Sequence, residues 1–330
     1  MSPAPLIEVR DLKVHFRVKA PGVLGGRHVL LKALDGASFS LAAGETLGVV
    51  GESGCGKSTL ARAVLQLVRP TAGEVVWLGR PIAGLSAKEM RPLRRDMQMV
   101  FQDPLAALDP RMTVGEIIGE PLDTFMPSLP RAAAKARVEE MMAKVGLSPH
   151  MVNRYPHEFS GGQCQRIGIA RAIILNPKII VCDEPVSSLD VSIQAQIINL
   201  LMRLQRELGV SLILISHDLS VVRHISHRIL VLYLGRVMEA ASRDELYANP
   251  RHPYTQALMS AVPIPDPDRE ANRQRIVLAG DLPSPFEPPS GCVFRTRCPK
   301  ATAVCAEVVP PEEAVSATHS VACHHWRDTR

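Results

Sequence analysis

Aromatic residues are scarce, with Phe, Trp and Tyr together making up 4% of the 330 residues, too few for the stacking platforms that hold single-stranded nucleic acid. Long apolar runs are lacking as well. "SLILIS" (211–216) and "ILVLYLG" (229–235) are among the longest and fall far short of the roughly 20 residues that span a bilayer, so any membrane role must come through a partner. Charge of one sign is not massed: 38 Lys and Arg face 33 Asp and Glu, and the basic residues are scattered. The small cluster "RPLRRD" (91–96) reads as a solvated helix face. Polar residues interrupt the opening "MSPAPLIEVRDLKVHF", which has neither the pattern of a secretory signal nor that of a transit peptide. The expected location is therefore the cytoplasm, where the seven cysteines are not read as a disulfide framework.

What is present is ordinary globular usage, 46% hydrophobic and 22% charged, in a chain long enough for one large domain with an appendage or for two modest ones. The most informative stretch is "ETLGVVGESGCGKSTLARAVLQLV" (45–68). Thr46 to Val50 reads as a short strand, and Leu60, Val64 and Leu67 or Val68 recur at helical spacing after a glycine-rich turn. Between them Gly51 to Ser58 fits G-x-x-x-x-G-K-S. In that pattern, small residues such as Gly51, Ser53, Gly54, Cys55 and Gly56 let backbone N–H groups wrap phosphates, Lys57 reaches the β- and γ-phosphates, and Ser58, followed by Thr59, can ligate magnesium.

"PKIIVCDEP" (177–185) is a continuous apolar strand of the kind covered on both faces in parallel sheets, and it ends in Asp183 and Glu184. Strand ends are where α/β sheets place ligands. A first-shell anion for magnesium and a base one step away suit Asp183 and Glu184 respectively, while Cys182 reads as inert packing. "EFSGGQCQRIGIARAIIL" (158–175) opens a helix with Ile167, Ala170 and Ile174 on one face. Ser160, Gly161, Gly162 and Gln163 stand at its N-terminus, a place suited to a γ-phosphate and equally to a plain serine cap.

Taken in order, Gly51 to Ser58, Gln102 in "VFQDP", "SGGQ" (160–163), Asp183 and Glu184, "SSLD" ending at Asp190, and His217 in "LISHD" resemble the ABC ATPase cassette over roughly residues 6 to 240. The resemblance implies the α/β fold of a P-loop NTPase ABC cassette, with a RecA-like core, an antiparallel β subdomain and a helical subdomain over about 103–170. It implies two cassettes closing head to tail around two ATP molecules, with the Ser160 loop acting on nucleotide held by the opposite subunit. Glu184 would polarise the attacking water, His217 would hold the γ-phosphate and water, and Gln102 would sense the γ-phosphate. Ser58, Gln102 and Asp183 would surround Mg2+, Asp190 would link the two sites, and Phe16 would stack on adenine. A strand Phe in "KVHF" is equally a core residue, and a loop (19–28) separates it from the next strand. Two positions depart from the commonest family signature: Phe159 stands where Leu is usual, and Cys164 where Arg or Gln is frequent. Neither removes a phosphate-contacting group. Within the helical subdomain, "RAAAKARVEEMMAKVGL" (131–147) spaces Val138, Met141, Met142 and Val145 for one buried face, with Gly146 as helix stop.

After "YANPRHPYTQALMSAVP" (247–263) proline takes over. "VPIPDPD" and "DLPSPFEPPSG" bracket "RQRIVLAG", read as a strand, and the whole reads as a small irregular appendage, for which a bound metal is a usual remedy. "RYPHEFSGGQ", "NPRHPYTQAL" and "LPSPFEPPSGCVFRTRC" extend the resemblance to the second ATPase of dipeptide and oligopeptide importers. By that resemblance the partners are two permease subunits, a second, different ATPase and an external solute-binding protein, and the chain sits on the cytoplasmic face of the membrane. Its domains would be 1–262, the cassette, and 263–330, the tail. Cys292, Cys298, Cys305 and Cys323 are separated by five, six and seventeen residues, without the C-x-x-C knuckle of common zinc sites. Four thiolates are the usual set for a 4Fe-4S cluster, which the resemblance also implies. Zinc, with His319, His324 and His325 close in sequence to the last cysteine, and four unliganded cysteines stay open beside it.

A function of another class is a nucleic-acid-associated ABC ATPase, which would carry long coiled coils inside the cassette or two fused cassettes. Gln102 and Ser160 are only 58 residues apart, and the motifs occur once. The expectation is ATP-driven peptide import, with no nucleic acid partner; another small solute of the peptide/nickel group is the alternative cargo.

Overall fold

The structure, a computed structural model, describes residues 4–19, 28–262 and 275–328. The chain divides into two compact units, one of residues 1–41, 47–84 and 216–330, the other of 42–46 and 85–215.

In the first unit, β1 (Ile7–Lys19) pairs antiparallel with β2 (His28–Leu41). The buried positions of β1 change parity from Ile7 and Val9 to Leu12 and Val14 because the register shifts between Val9 and Leu12; an extra residue in a bulge turns the following side chains over. The strand β3 (Thr46–Val50) is buried along its whole length, as the sequence leads one to expect for a strand covered on both faces. It feeds the glycine-rich loop and α1 (Lys57–Val64). This helix ends sooner than the apolar spacing suggests: Leu60 and Val64 are in the core, whereas Leu67 lies beyond it, 45% exposed. Gln66 takes φ +54 just after the last turn, a left-handed backbone that stops the helix before the next apolar repeat. β4 (Ala72–Trp77) and β5 (Arg80–Pro81) complete a four-stranded sheet in the order β2-β1-β4-β5.

The second unit begins with α2 (Ala87–Arg94), which carries Arg91 and Arg94 in its last turn, and β6 (Met97–Val100). Three helices follow, α3 (Val114–Phe125), α4 (Arg131–Lys144) and α5 (Gly161–Ile173). Thr113 and Glu116 close the start of α3 with a reciprocal capping box. Val138, Met141, Met142 and Val145 are buried, and Gly146 takes φ +79 after α4 ends, matching the predicted face and stop. The helix α5 is buried more widely than one face, with Cys164, Ile167, Ile169, Ala170 and Ile173 all inside. β7 (Ile179–Asp183), α6 (Val191–Leu208) and β8 (Ser211–Ile215) close the unit, and β6, β7 and β8 run parallel in the order β8-β7-β6. Every residue of β7 and β8 is buried.

The chain then returns to the first unit through α7 (Leu219–Ile225), β9 (Arg228–Tyr233), β10 (Arg236–Ser242), α8 (Arg243–Ala248) and α9 (Pro253–Ser260). β9 lies parallel to β3 and antiparallel to β10. Beyond the short α10 (Ala303–Glu307), the hairpin of β11 (Glu313–Ser316) and β12 (His319–Val321) joins β10 through β12, giving the order β11-β12-β10-β9-β3. The tail is therefore less of an irregular appendage than its prolines suggest, because its end is a sheet extension. A buried carboxylate anchors it: Glu239 accepts from the backbone of Arg251 at 2.6 Å and His252 at 3.0 Å, and bonds the His319 ring at 2.7 Å. One expectation fails outright. Of "RQRIVLAG", residues 275–280 form no strand and Val277 is 87% exposed, since an extended run pairs only where a partner edge is free beside it. Among the described residues no helix is long and apolar enough to cross a membrane.

Candidate functional site

In the first unit, the loop after β3 is shaped by two glycines. Gly51 has φ +152, and a Cβ there would lie 2.2 Å from the Leu232 carbonyl oxygen; Gly56 has φ +106, with the Ala33 carbonyl oxygen also 2.2 Å away. Only a residue without a side chain takes these turns against neighbouring backbone. Gly56 is the N-cap of α1 and, as glycine, gives it no side-chain cap, so the positive end of the helix dipole opens onto the loop. Lys57 is buried, and its amine donates to the carbonyls of Gly51 at 2.8 Å and Glu52 at 3.0 Å, which aims a cation back along the loop. Ser53 and Gly54 are exposed, Ser58 and Thr59 half-buried. Cys55 is buried, and burial pushes its thiol up despite the Lys57 cation beside it, so it is packing rather than a nucleophile.

The sequence offers no signal for the supports of this loop. The Glu52 backbone N–H donates to the Tyr254 hydroxyl at 2.9 Å, and its carboxylate receives the Arg297 guanidinium at 2.8 and 3.0 Å. Arg297 is held by Phe294, fully buried against Tyr233 and Tyr254, each with its ring centroid 5.3 Å away. Phe16 sits half-buried on β1 opposite Leu31, and no hydrogen bond or ring contact joins it to the loop among the described residues; most of the 19–28 loop lies outside them. His217 is exposed just past β8, ahead of Asp218, which caps α7 through Ser220 at 2.8 Å.

In the second unit, Asp183 ends β7 almost wholly buried, and Glu184 follows it with φ +46, a left-handed backbone rare outside glycine. The Glu184 N–H donates to the Ile215 carbonyl at 3.0 Å, which fixes the turn. The Gln102 side-chain amide donates to the Glu184 carboxylate at 3.1 Å, so the ends of β6 and β7 bring together two residues that lie 82 positions apart. Burial, then the neighbouring Asp183, pushes the Cys182 thiol up to about 12, an inert group.

Ser160 caps α5, and the capping box with Gln163 is complete: the Gln163 N–H donates to the Ser160 hydroxyl at 3.4 Å and the Ser160 N–H to the Gln163 side chain at 2.9 Å. Ser160 and Gly161 stay exposed. A Cβ on Gly162 would stand 2.6 Å from the Ile193 side chain, and one on Gly161 3.5 Å from Leu189, so the start of α5 lies directly against the segment that carries Asp190. Asp190 is exposed at the N-cap of α6, where its side chain makes no capping bond.

The four tail cysteines converge. The Cys292 N–H donates to the Cys305 carbonyl at 2.8 Å. Burial pushes the Cys323 thiol up to about 11, helped by the other three cysteines, and burial followed by Cys305 and Cys298 raises Cys292. The His325 backbone N–H donates to the Cys323 sulfur at 3.4 Å, while the three histidine rings bond elsewhere. His319 is bonded to Glu239, the His324 ring to the Val308 carbonyl at 3.0 Å, and the His325 ring to the Thr302 hydroxyl at 2.8 Å. Among the described residues, no group of three or more His, Cys, Asp and Glu side chains is arranged to hold a metal ion.

Residues 34–187 match the family described as ABC transporter, and residues 238–305 match the oligopeptide/dipeptide transporter C-terminal region. The chain is 61% identical over 324 residues to the oligopeptide transport ATP-binding protein OppF of Salmonella typhimurium, covering 96% of this chain and 95% of that one. It is 53% identical over 320 residues to the oligopeptide transport ATP-binding protein AppF of Bacillus subtilis, covering 97% of each. Among solved structures, a dimeric post-hydrolysis state of the ATP-binding cassette MJ0796 bound to ADP and Pi is similar at a TM-score of 0.65 and 29% identity, over 72% of this chain and 98% of that one.

Proposed function

The chain belongs to the ATP-binding proteins of oligopeptide ABC transporters, and on that premise we propose how it hydrolyses ATP to power oligopeptide import. The observation that carries the hydrolytic reading is the Gln102 to Glu184 contact at 3.1 Å. Glu184 is the base that takes a proton from the attacking water. Its left-handed backbone costs about 1 to 3 kcal/mol, and such a cost is the kind met where a side chain must be aimed. Gln102 orients that carboxylate and senses the γ-phosphate. Ser58, Gln102 and Asp183 would hold a magnesium ion through their oxygen atoms, which would supply positive charge beside the transferred phosphoryl group.

Gly51, Ser53, Gly54, Cys55, Gly56, Lys57, Ser58 and Thr59 wrap the phosphates, with the Lys57 amine reaching the β- and γ-phosphates. His217 holds the γ-phosphate and water, Ser160 to Gln163 meet the nucleotide of an opposing ATPase, Asp190 links the paired sites, and Phe16 stacks on adenine. The working complex pairs this chain with a second, different ATPase on two transmembrane permease subunits, fed by an extracytoplasmic solute-binding protein, with this chain peripheral on the cytoplasmic face. ATP-driven closure of the ATPase pair rocks the permease, and hydrolysis resets it. Residues 1–262 serve as the cassette, with its helical subdomain over about 103–170, and 263–330 as the tail. Glu184→Gln should retain ATP binding and lower turnover by at least about 10²-fold, measured as phosphate release beside nucleotide binding; turnover at the wild-type rate would refute the assigned base.

Cys292, Cys298, Cys305 and Cys323 suit a 4Fe-4S cluster better than one zinc ion. Burial first, and the neighbouring cysteines after it, push the Cys292, Cys298 and Cys323 thiols up, so a cationic core is needed if all four are to be thiolates, and four thiolates are the usual ligand set of such a cluster. Bound there, the cluster would staple the tail. Chain purified without oxygen should carry about four irons with matching sulfide, lost in Cys298→Ser; one zinc and no iron would reverse the assignment.

A further inference from the structure

The loop 51–58 contains one carboxylate, Glu52, in a place built to receive a polyanion. An unopposed carboxylate there would repel phosphate, since charges within a Debye length of about 8 Å still feel each other at physiological salt. The structure cancels it from 245 residues away in the chain: one terminal nitrogen of Arg297 meets both carboxylate oxygens, at 2.8 and 3.0 Å, with the Arg297 side chain only 11% exposed. Its other contacts are sparse. The same nitrogen reaches the Tyr233 hydroxyl at 3.5 Å, and among the described residues the buried Nε has no hydrogen-bond partner, so Glu52 is the reason for the guanidinium to be there. The pair is rigid, because the Arg297 N–H donates to the Phe294 carbonyl at 3.0 Å and the Phe294 ring is locked among Tyr233, Tyr254 and His252. Tyr254 in turn accepts from the Glu52 N–H. One aromatic cluster thus holds the backbone of Glu52 and the cation that meets its carboxylate.

We propose that Arg297 is a positioning residue for nucleotide binding: it neutralises the single carboxylate of the phosphate loop and holds it turned toward the tail, so that the cysteine-rich segment sets the affinity of the loop for a nucleoside triphosphate. The proposal rests on the reading of 51–58 as a phosphate loop. A merely structural staple would predict that breaking either end of the pair is equally harmful; neutralisation predicts opposite outcomes at the two ends.

The test measures Kd for ATP with magnesium on the full-length chain, at low and high salt. Arg297→Ala should weaken binding about five- to tenfold at low salt, less at high salt. Glu52→Gln should bind ATP as tightly as wild type or more tightly, and the double variant should return to within about twofold of wild type. Arg297→Lys, which keeps the charge, should fall between wild type and Arg297→Ala. Should Arg297→Ala fail to fold, Glu52→Gln decides alone: a loss of affinity there overturns the proposal. So does a double variant as weak as Arg297→Ala, or Arg297→Ala binding like wild type. A wild-type chain that does not bind ATP would instead overturn the phosphate-loop reading beneath it.

Discussion

The glycine-rich loop 51–58 and the cysteine tail belong to the same compact unit and are built by opposite means. The loop is local: within eight residues, glycines with φ +152 and φ +106 set its path and Lys57 folds back on the carbonyls of Gly51 and Glu52. The tail is assembled from afar, through Glu239 with His319, Arg297 with Glu52, and Phe294 among Tyr233, Tyr254 and His252. A local device survives as long as its backbone does. A distributed one fails when any of several remote side chains is lost, and here its failure reaches the loop, because Tyr254 and Arg297 serve both.

Phe294→Ala should show the largest effect on stability, about 3 to 5 kcal/mol for a fully buried ring, read by denaturant unfolding, together with weakened ATP binding. If binding were unaffected while the tail loosened, the two regions would be independent after all. A second route tests the cluster by pH. Burial holds the His252 imidazole down at about 4, against 6.5 for a free ring, and its Nδ1 accepts from the Tyr254 N–H at 3.0 Å, which a protonated ring cannot do. The folded state resists a proton that the unfolded chain takes up below pH 6.5. Stability is therefore complete above pH 6.5 and falls as the pH drops toward 4, by on the order of 3 kcal/mol. Unfolding midpoints at pH 7 and pH 5 should diverge in wild type and draw together in His252→Asn; equal pH dependence in both would remove His252 from the account. The smallest change, Gly56→Ala, should cost about 1 to 3 kcal/mol through left-handed strain and a Cβ 2.2 Å from the Ala33 carbonyl. It should lower ATP affinity and leave the protease resistance of the tail as in wild type, separating the loop from the tail in the direction opposite to Phe294→Ala.

Legibility follows the same divide. Gly51 to Ser58, the strand β3 before it and the acidic end of β7 could be read directly, because G-x-x-x-x-G-K-S and an apolar run ending in Asp183 and Glu184 are constraints between near neighbours. The expected strand in "RQRIVLAG" could not be secured in that way: β-propensity is a demand for a neighbouring strand, and Ile276 and Val277 stand exposed in a segment that forms none. Leu67 misled for a related reason. Apolar spacing continues past Val64, but the backbone leaves the helix at Gln66, and spacing alone carries no record of a turn. The histidines near Cys323 are close in sequence, yet each ring bonds a different partner.

By itself the sequence determined the glycine-rich loop 51–58, the order of the family motifs, the buried parallel strands and the peptide-importer tail, since all of these are written in short-range spacing and residue type. Only the tertiary structure decided that Gln102 reaches Glu184, that Gly162 lets α5 meet the segment behind Asp190, and that Arg297 closes on Glu52 across 245 positions. Those contacts join residues with no periodic relation along the chain, and their partners are selected by packing, which exists only once the chain has folded.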